Sequence, residues 1–78
     1  MNKNTDIEKA FKQLGLNIST IRKNQNISIK ELAEKSGIKK EYIEKIEKGE
    51  AHGVRLYKHL AQIAKVLNVD LSELFVNL

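Results

Sequence analysis

Apolar residues recur along this chain at helical spacing, and polar start and stop signals divide them into five runs. The first run, Ile7, Ala10, Phe11, Leu14, Ile18 and Ile21, forms one stripe of an amphipathic helix, with the period of about 3.6 residues that one buried face requires. Thr5 with Glu8 three residues on predicts a capping box at its start, and Asn24–Asn26 supply turn chemistry at its end. Residues 1–4 are polar and expected to fray. Gly15 lies inside the run. Glycine costs about 1 kcal/mol against alanine in a helix interior, so a kink or break is expected there.

The second and third runs share the stretch from Ser28 to Gly49. Ser28 and Glu31 make a second capping box, followed by Ile29, Leu32 and Ala33 on one face. Gly37 stands where that helix must stop and the chain reverse. Ile38 resumes the apolar pattern, Ile43 and Ile46 continue it, and Gly49 closes it. The small side chain of Ala33 lets two helices cross closely. Two short helices around a tight glycine turn predict a helix-turn-helix over 28–49. The segment Glu50–Val54 has no periodicity and reads as a loop. A fourth helix takes Leu56, Leu60, Ile63, Ala64 and Leu67 as its inner face, with Asn68 as a left-handed stop. Asp70 and Glu73 suggest a third capping box, opening a short last helix with Leu71, Leu74 and Phe75. The expectation is one all-α domain over residues 1–78, a compact five-helix bundle.

Composition narrows the function classes. A chain of 78 residues with 41% hydrophobic residues has one small core, near the lower size limit for unaided folding. It has no cysteine, hence no disulfide or thiolate metal site. His52 and His59 lie seven apart without a clustered acid, poor spacing for zinc. No Ser-His-Asp set, glycine-rich phosphate cradle or paired-carboxylate cleft is apparent, so neither an enzyme nor a bound cofactor is expected. The polar N-terminus is no signal peptide and no apolar run reaches about 18 residues, which points to the cytoplasm. The formal net charge is +4, compatible with a polyanion and also with an ordinary basic domain. The distribution says more. Between Arg22 and Lys65 there are eleven Lys and Arg against six Asp and Glu, whereas the tail beyond is mildly acidic and apolar.

The phase of the third helix separates its faces. With Ile43 at zero and about 100° per residue, Ile46, Lys39 and Glu47 fall within about 60° of it, on the core side. Glu41, Lys45 and Lys48 fall opposite, with Lys40 and Glu44 on the flanks. Long polar side chains on such a face suit a major groove: lysine donates to guanine O6 and N7, and glutamate accepts from cytosine N4. The residues alone leave a second reading open. Lys40–Glu44, Glu41–Lys45 and Glu44–Lys48 are i,i+4 pairs of the kind that lace any solvated helix face. Glu47 is different, because an inward carboxylate is costly unless paired. Arg22, at the edge of the first helix's apolar stripe, is placed to clamp it in a bidentate pair.

The stretch resembles the DNA-binding core of the lambda-repressor-like (XRE/Cro-type) helix-turn-helix family. The resemblance rests on Leu14, Ile18, Ile21 and Arg22, on Glu31–Ala33, Gly37-Ile38, Tyr42-Ile43 and Ile46–Gly49, and on Ile63–Leu67 and Leu71–Phe75. It covers nearly the whole chain. It implies a sequence-specific transcriptional regulator with a recognition helix at about 39–48. Lys39, Lys40, Glu41, Glu44 and Lys45 then stand at or beside base-reading positions. Phosphate contacts fall to Ser28, Ile29 through its N–H, and Lys30, with Lys48, Arg55 and Lys58 on the other side of the groove. Arg22 and Glu47 are the structural ion pair. The partner implied is double-stranded DNA, a palindromic operator bound by a homodimer. Leu71, Leu74, Phe75, Val76 and Leu78 either form the dimer surface or seal the core. The chain departs from the family pattern at Ile29, where many relatives carry Gln, and at Lys39, where a Ser or Thr cap is common. Acidic Glu41 and Glu44 lower the local positive potential, and the loop after Gly49 is longer and lacks a proline. These departures motivate a competing class, a protein-interaction module (an antitoxin or anti-repressor element) that keeps the fold without tight DNA binding.

Overall fold

The computed structural model describes residues 3–78, with side chains from residue 6 onward. Four α-helices follow one another: α1 (Lys3–Asn24), α2 (Ile29–Ser36), α3 (Lys40–Glu47) and α4 (Val54–Leu67); a 3-10 turn, Leu71–Phe75, ends the order. No strand occurs among the described residues. Among the described residues no helix is long and apolar enough to cross a membrane. The helix start expected at Thr5 is corrected, because α1 begins ahead of it, at Lys3. The Thr5 side chain and residues 1–2 lie outside the described residues.

The four helices close on one core. Leu14 and Ile18 from α1, Leu32 from α2, Ile43 and Ile46 from α3, and Leu56, Leu60, Ile63, Ala64 and Leu67 from α4 are all buried, with Ile38, Ala51 and Leu74 joining from the connections. Side chains four apart on α1 stand above one another. The buried row Leu14–Ile18 therefore continues to Arg22, itself buried.

Gly15 corrects an expectation. α1 runs through it without interruption over 22 residues. A Cβ at Gly15 would stand 2.4 Å from the Ile46 carbonyl oxygen and 2.5 Å from that of Glu47. The residue is small because the last turn of α3 lies directly on the α1 backbone. The contact is reciprocal one turn earlier: Gly49, at φ +78°, would place a Cβ 2.8 Å from Lys12 Cα.

The helix ends follow the polar signals at most positions. At α2, Ser28 Oγ accepts from the Glu31 amide at 3.0 Å and the Glu31 carboxylate accepts from the Ser28 amide at 3.3 Å. Gly37 stops α2 in the left-handed region at φ 75°, and Asn68 stops α4 at φ 57°. At the last element the expectation fails. Asp70 makes no side-chain cap, because its main-chain oxygen takes the Glu73 amide at 2.9 Å. That i to i+3 bond is the 3-10 pattern, and it takes the Glu73 amide that a capping box would give to the carboxylate. The chain therefore ends in a 3-10 turn where a fifth α-helix was expected.

Side chains of α1 hold this turn and the end of α4. Asn17 Nδ2 donates to the Leu74 and Val76 carbonyls at 2.9 and 2.7 Å, with its Oδ1 accepting from Gln13 Nε2 at 2.8 Å. Gln25 Nε2 donates to the Leu67 carbonyl at 2.8 Å. Of the apolar tail, Leu74 is buried and Leu71 and Phe75 pack on the core, so these three seal it; Val76 and Leu78 stay exposed.

Gly15→Ala tests the α1–α3 contact. Helix propensity alone would stabilise the variant by about 1 kcal/mol. Overpacking against two backbone carbonyls costs more, so a net loss of about 1–2 kcal/mol is expected in urea denaturation. A more stable variant would show that α1 and α3 are not in backbone contact.

Candidate nucleic-acid interface

α3 is sorted by burial into two faces. Ile43 and Ile46 are fully inside, at 0% and 2% exposure, and the Glu47 side chain retains 10%. Lys40, Glu41, Lys45 and Lys48 are exposed, whereas Glu44 is half-buried. Glu44 lines a shallow groove with Leu16, Ser19, Ile29, Glu47 and Lys48. Lys39 departs from its helical phase. It is the N-cap, at φ −62° and ψ 138°, so its direction is set by extended backbone and the side chain stands in solvent. It supplies no cap to α3.

Arg22 and Glu47 meet in a bidentate pair, with Nε to Oε2 at 2.8 Å and one terminal nitrogen to Oε1 at 3.0 Å. The other terminal nitrogen donates to the Ile27 carbonyl at 2.9 Å. All three guanidinium nitrogens are thus engaged within the chain, and little is left for a phosphate. Among the described residues this is the one ion pair. The three i,i+4 combinations on α3 do not close, so Lys40, Glu41 and Lys45 keep their charged ends in solvent.

The start of α2 is partly committed. The capping box occupies Ser28 Oγ and the amides of Ser28 and Glu31. The first-turn amides not used by the box are those of Ile29 and Lys30, beside an exposed Lys30 and a half-buried Ile29. A helix N-terminus of this kind favours an anion.

Arg55, expected as a phosphate contact, joins this region from α4 together with His59 and Gln62, which were not anticipated. The Arg55 guanidinium lies 5.0 Å from the centre of the Tyr42 ring, and the His59 ring meets the same tyrosine edge-on at 4.9 Å. Arg55 and His59 are four apart on α4 and so share one face. His59 Nδ1 is 2.9 Å from Gln62 Oε1. Arg55 is thereby held beside α3 by a cation–π contact. Lys58 is exposed on the same helix without a contact to α3 among these. His52 is exposed and packs edge-on against Phe11 at 5.0 Å, far in role from any metal ligand. No group of three or more His, Cys, Asp or Glu positioned for a metal occurs among the described residues.

A capped helix and an uncapped one around a left-handed glycine, the second with its apolar side inward and its lysines outward, define a helix-turn-helix domain. A model of the Cro/C1-type HTH DNA-binding domain matches residues 17–76. The chain belongs to that family. The match begins inside α1, so the Gly15 contact lies outside it.

Among known proteins, the chain is 39% identical over 62 residues to the HTH-type transcriptional regulator SlrR of Bacillus subtilis (strain 168). The alignment covers 80% of this chain and 40% of SlrR, so the chain spans well under half the length of that relative. The DNA-binding domain of BldD superposes with a TM-score of 0.73 at 30% identity, over 87% of this chain and 96% of that one. The restriction-modification controller protein C.AhdI from Aeromonas hydrophila superposes with a TM-score of 0.76 over 83% and 96% of the two chains. At 23% identity the latter likeness is one of fold.

Glu47→Ala should cost about 3–5 kcal/mol in urea denaturation, because it leaves the Arg22 charge buried without its partner. The double variant Arg22→Met/Glu47→Leu should recover most of that loss. A single variant within 1 kcal/mol of the native chain would mean that the pair is not buried as described.

Proposed function

We propose that this chain is a sequence-specific DNA-binding transcriptional regulator, cytoplasmic and without enzymatic activity, which sets the outer face of α3 into the major groove. The observation that carries the reading is the division of α3: its apolar residues and Glu47 are spent on the core, while Lys40, Glu41 and Lys45 stand exposed and unpaired. With Glu47 neutralised by Arg22, the lysines at 39, 40, 45 and 48 face the two glutamates at 41 and 44, so the region stays cationic. Base edges fall to Lys40, Glu41 and Lys45, with Lys39 and Glu44 at the margins. The Ile29 and Lys30 amides, with Lys30, Lys48, Arg55 and Lys58, hold phosphates, which position the domain without reading sequence. Ser28 acts through its cap, ordering those amides.

One domain of this size makes few contacts, and two-fold pairing on a palindromic operator is the usual remedy, with half-sites about 34 Å apart. The homodimer surface best supported is where exposed Leu16 and Val76 flank a shallow groove with Gln13, Thr20 and Ile21. Glu41 and the apolar Ile29 also support a second reading, a protein-interaction module that has given up DNA.

Affinity for duplex DNA as a function of salt separates the two. A regulator should weaken with a log–log slope of about −0.9 per phosphate neutralised. Lys45→Ala should remove most of the preference for a selected sequence over random duplex. If neither random duplex nor upstream chromosomal fragments bind at low salt, the interaction-module reading takes over.

A further inference from the structure

We infer that the half-site is built on G·C pairs, with Glu41 selecting cytosine and Lys45 selecting guanine one helical turn further on. This rests on the reading that α3 enters the major groove. The exposed side chains of α3 are lysine and glutamate. Its remaining residues are withdrawn: Ile43 and Ile46 are buried, Tyr42 is engaged by Arg55 and His59, and Glu44 lies against the groove of Leu16 and Ile29. Apart from the half-buried Tyr42, α3 carries no hydroxyl, and its exposed side chains include no carboxamide and no methyl group.

Those absences decide among the bases. Adenine presents a donor beside an acceptor, N6–H and N7, and is read by a group that accepts and donates together, Asn or Gln. A carboxylate set at N6 meets the N7 lone pair with a second lone pair. Thymine presents a single acceptor, O4, beside its methyl group, so an ammonium meets one acceptor there against two on guanine, and the methyl finds no apolar side chain on this face. Cytosine presents the N4–H donor with no acceptor next to it, which suits Glu41. Guanine presents two adjacent acceptors, O6 and N7, which suit the ammonium of Lys45. Neither group is consumed internally, since the two form no ion pair although they stand four residues apart. Four residues of helix rise about 6 Å, close to two base-pair steps of about 3.4 Å. The two contacts therefore fall on pairs about two steps apart.

Selection from a random duplex library with the native chain and with Glu41→Gln is the test, followed by titration of the selected site carrying N4-methylcytosine at the cytosine position. That base keeps Watson–Crick pairing but places a methyl where Glu41 needs the outward N4 hydrogen. The native chain should select a cytosine and a guanine about two steps apart on the half-site and should weaken about tenfold on the methylated site, the scale of one base contact. Glu41→Gln should change the cytosine position alone, toward A·T, because a carboxamide both accepts and donates. Selection of a half-site of A·T pairs, or an unchanged profile for Glu41→Gln, overturns the inference while leaving DNA binding intact. Retention of no duplex at low salt overturns both.

Discussion

One buried guanidinium sets the arrangement of the motif. Arg22 continues the row of Leu14 and Ile18 into the core, where an unpaired charge would be costly. Its partner, Glu47, is the last residue of α3, and its third nitrogen is fixed by the carbonyl of Ile27 in the turn before α2. The end of α1, the entry to α2 and the exit of α3 are thereby held to one planar group. A buried pair adds little net stability over apolar residues of the same volume. What it excludes is any packing of α3 that turns Glu47 away from α1. Gly15 and Gly49 complete the constraint by letting α1 touch the exit of α3 through backbone.

From that geometry the outer face follows. With Ile43 and Ile46 inward and Glu47 clamped, helical periodicity leaves Glu41 and Lys45 outward, and Lys40 is exposed beside them at the first position of α3. Arg55 reaches the same region through Tyr42, so α4 contributes a cation next to α3 although the two helices are joined by an irregular loop. The charge pattern of α3 is thus a consequence of packing as much as of composition.

Much of the fold was legible in local pattern. Ser28–Glu31, Gly37 and Asn68 mark helix ends because their reason is local: a free amide to satisfy or a positive φ to adopt. Arg22–Glu47 was legible because a charge on an apolar stripe has to find its opposite. Gly15 was not, since its smallness answers to two carbonyls on another helix, thirty-one or more residues along the chain, and local reasoning turned it into a kink. Asp70 misled because a capping signature does not tell an α-turn from a 3-10 turn in which the main chain takes the amide first. Lys39 misled because a helical phase was extended to a residue with extended backbone. The Tyr42 cluster depends on a tertiary approach of α3 and α4; the only local trace of it was the four-residue spacing of Arg55 and His59.

The central claim is that the outer face of α3, held by Arg22 and Glu47, is the surface that meets DNA. Amide chemical shifts of the 15N-labelled chain, followed on addition of a selected duplex, test it most directly. The account predicts that the largest changes fall on α3, on the amides of Ile29 and Lys30, and on Arg55. Changes concentrated around Leu16, Thr20 and Val76, with α3 unaffected, would contradict it.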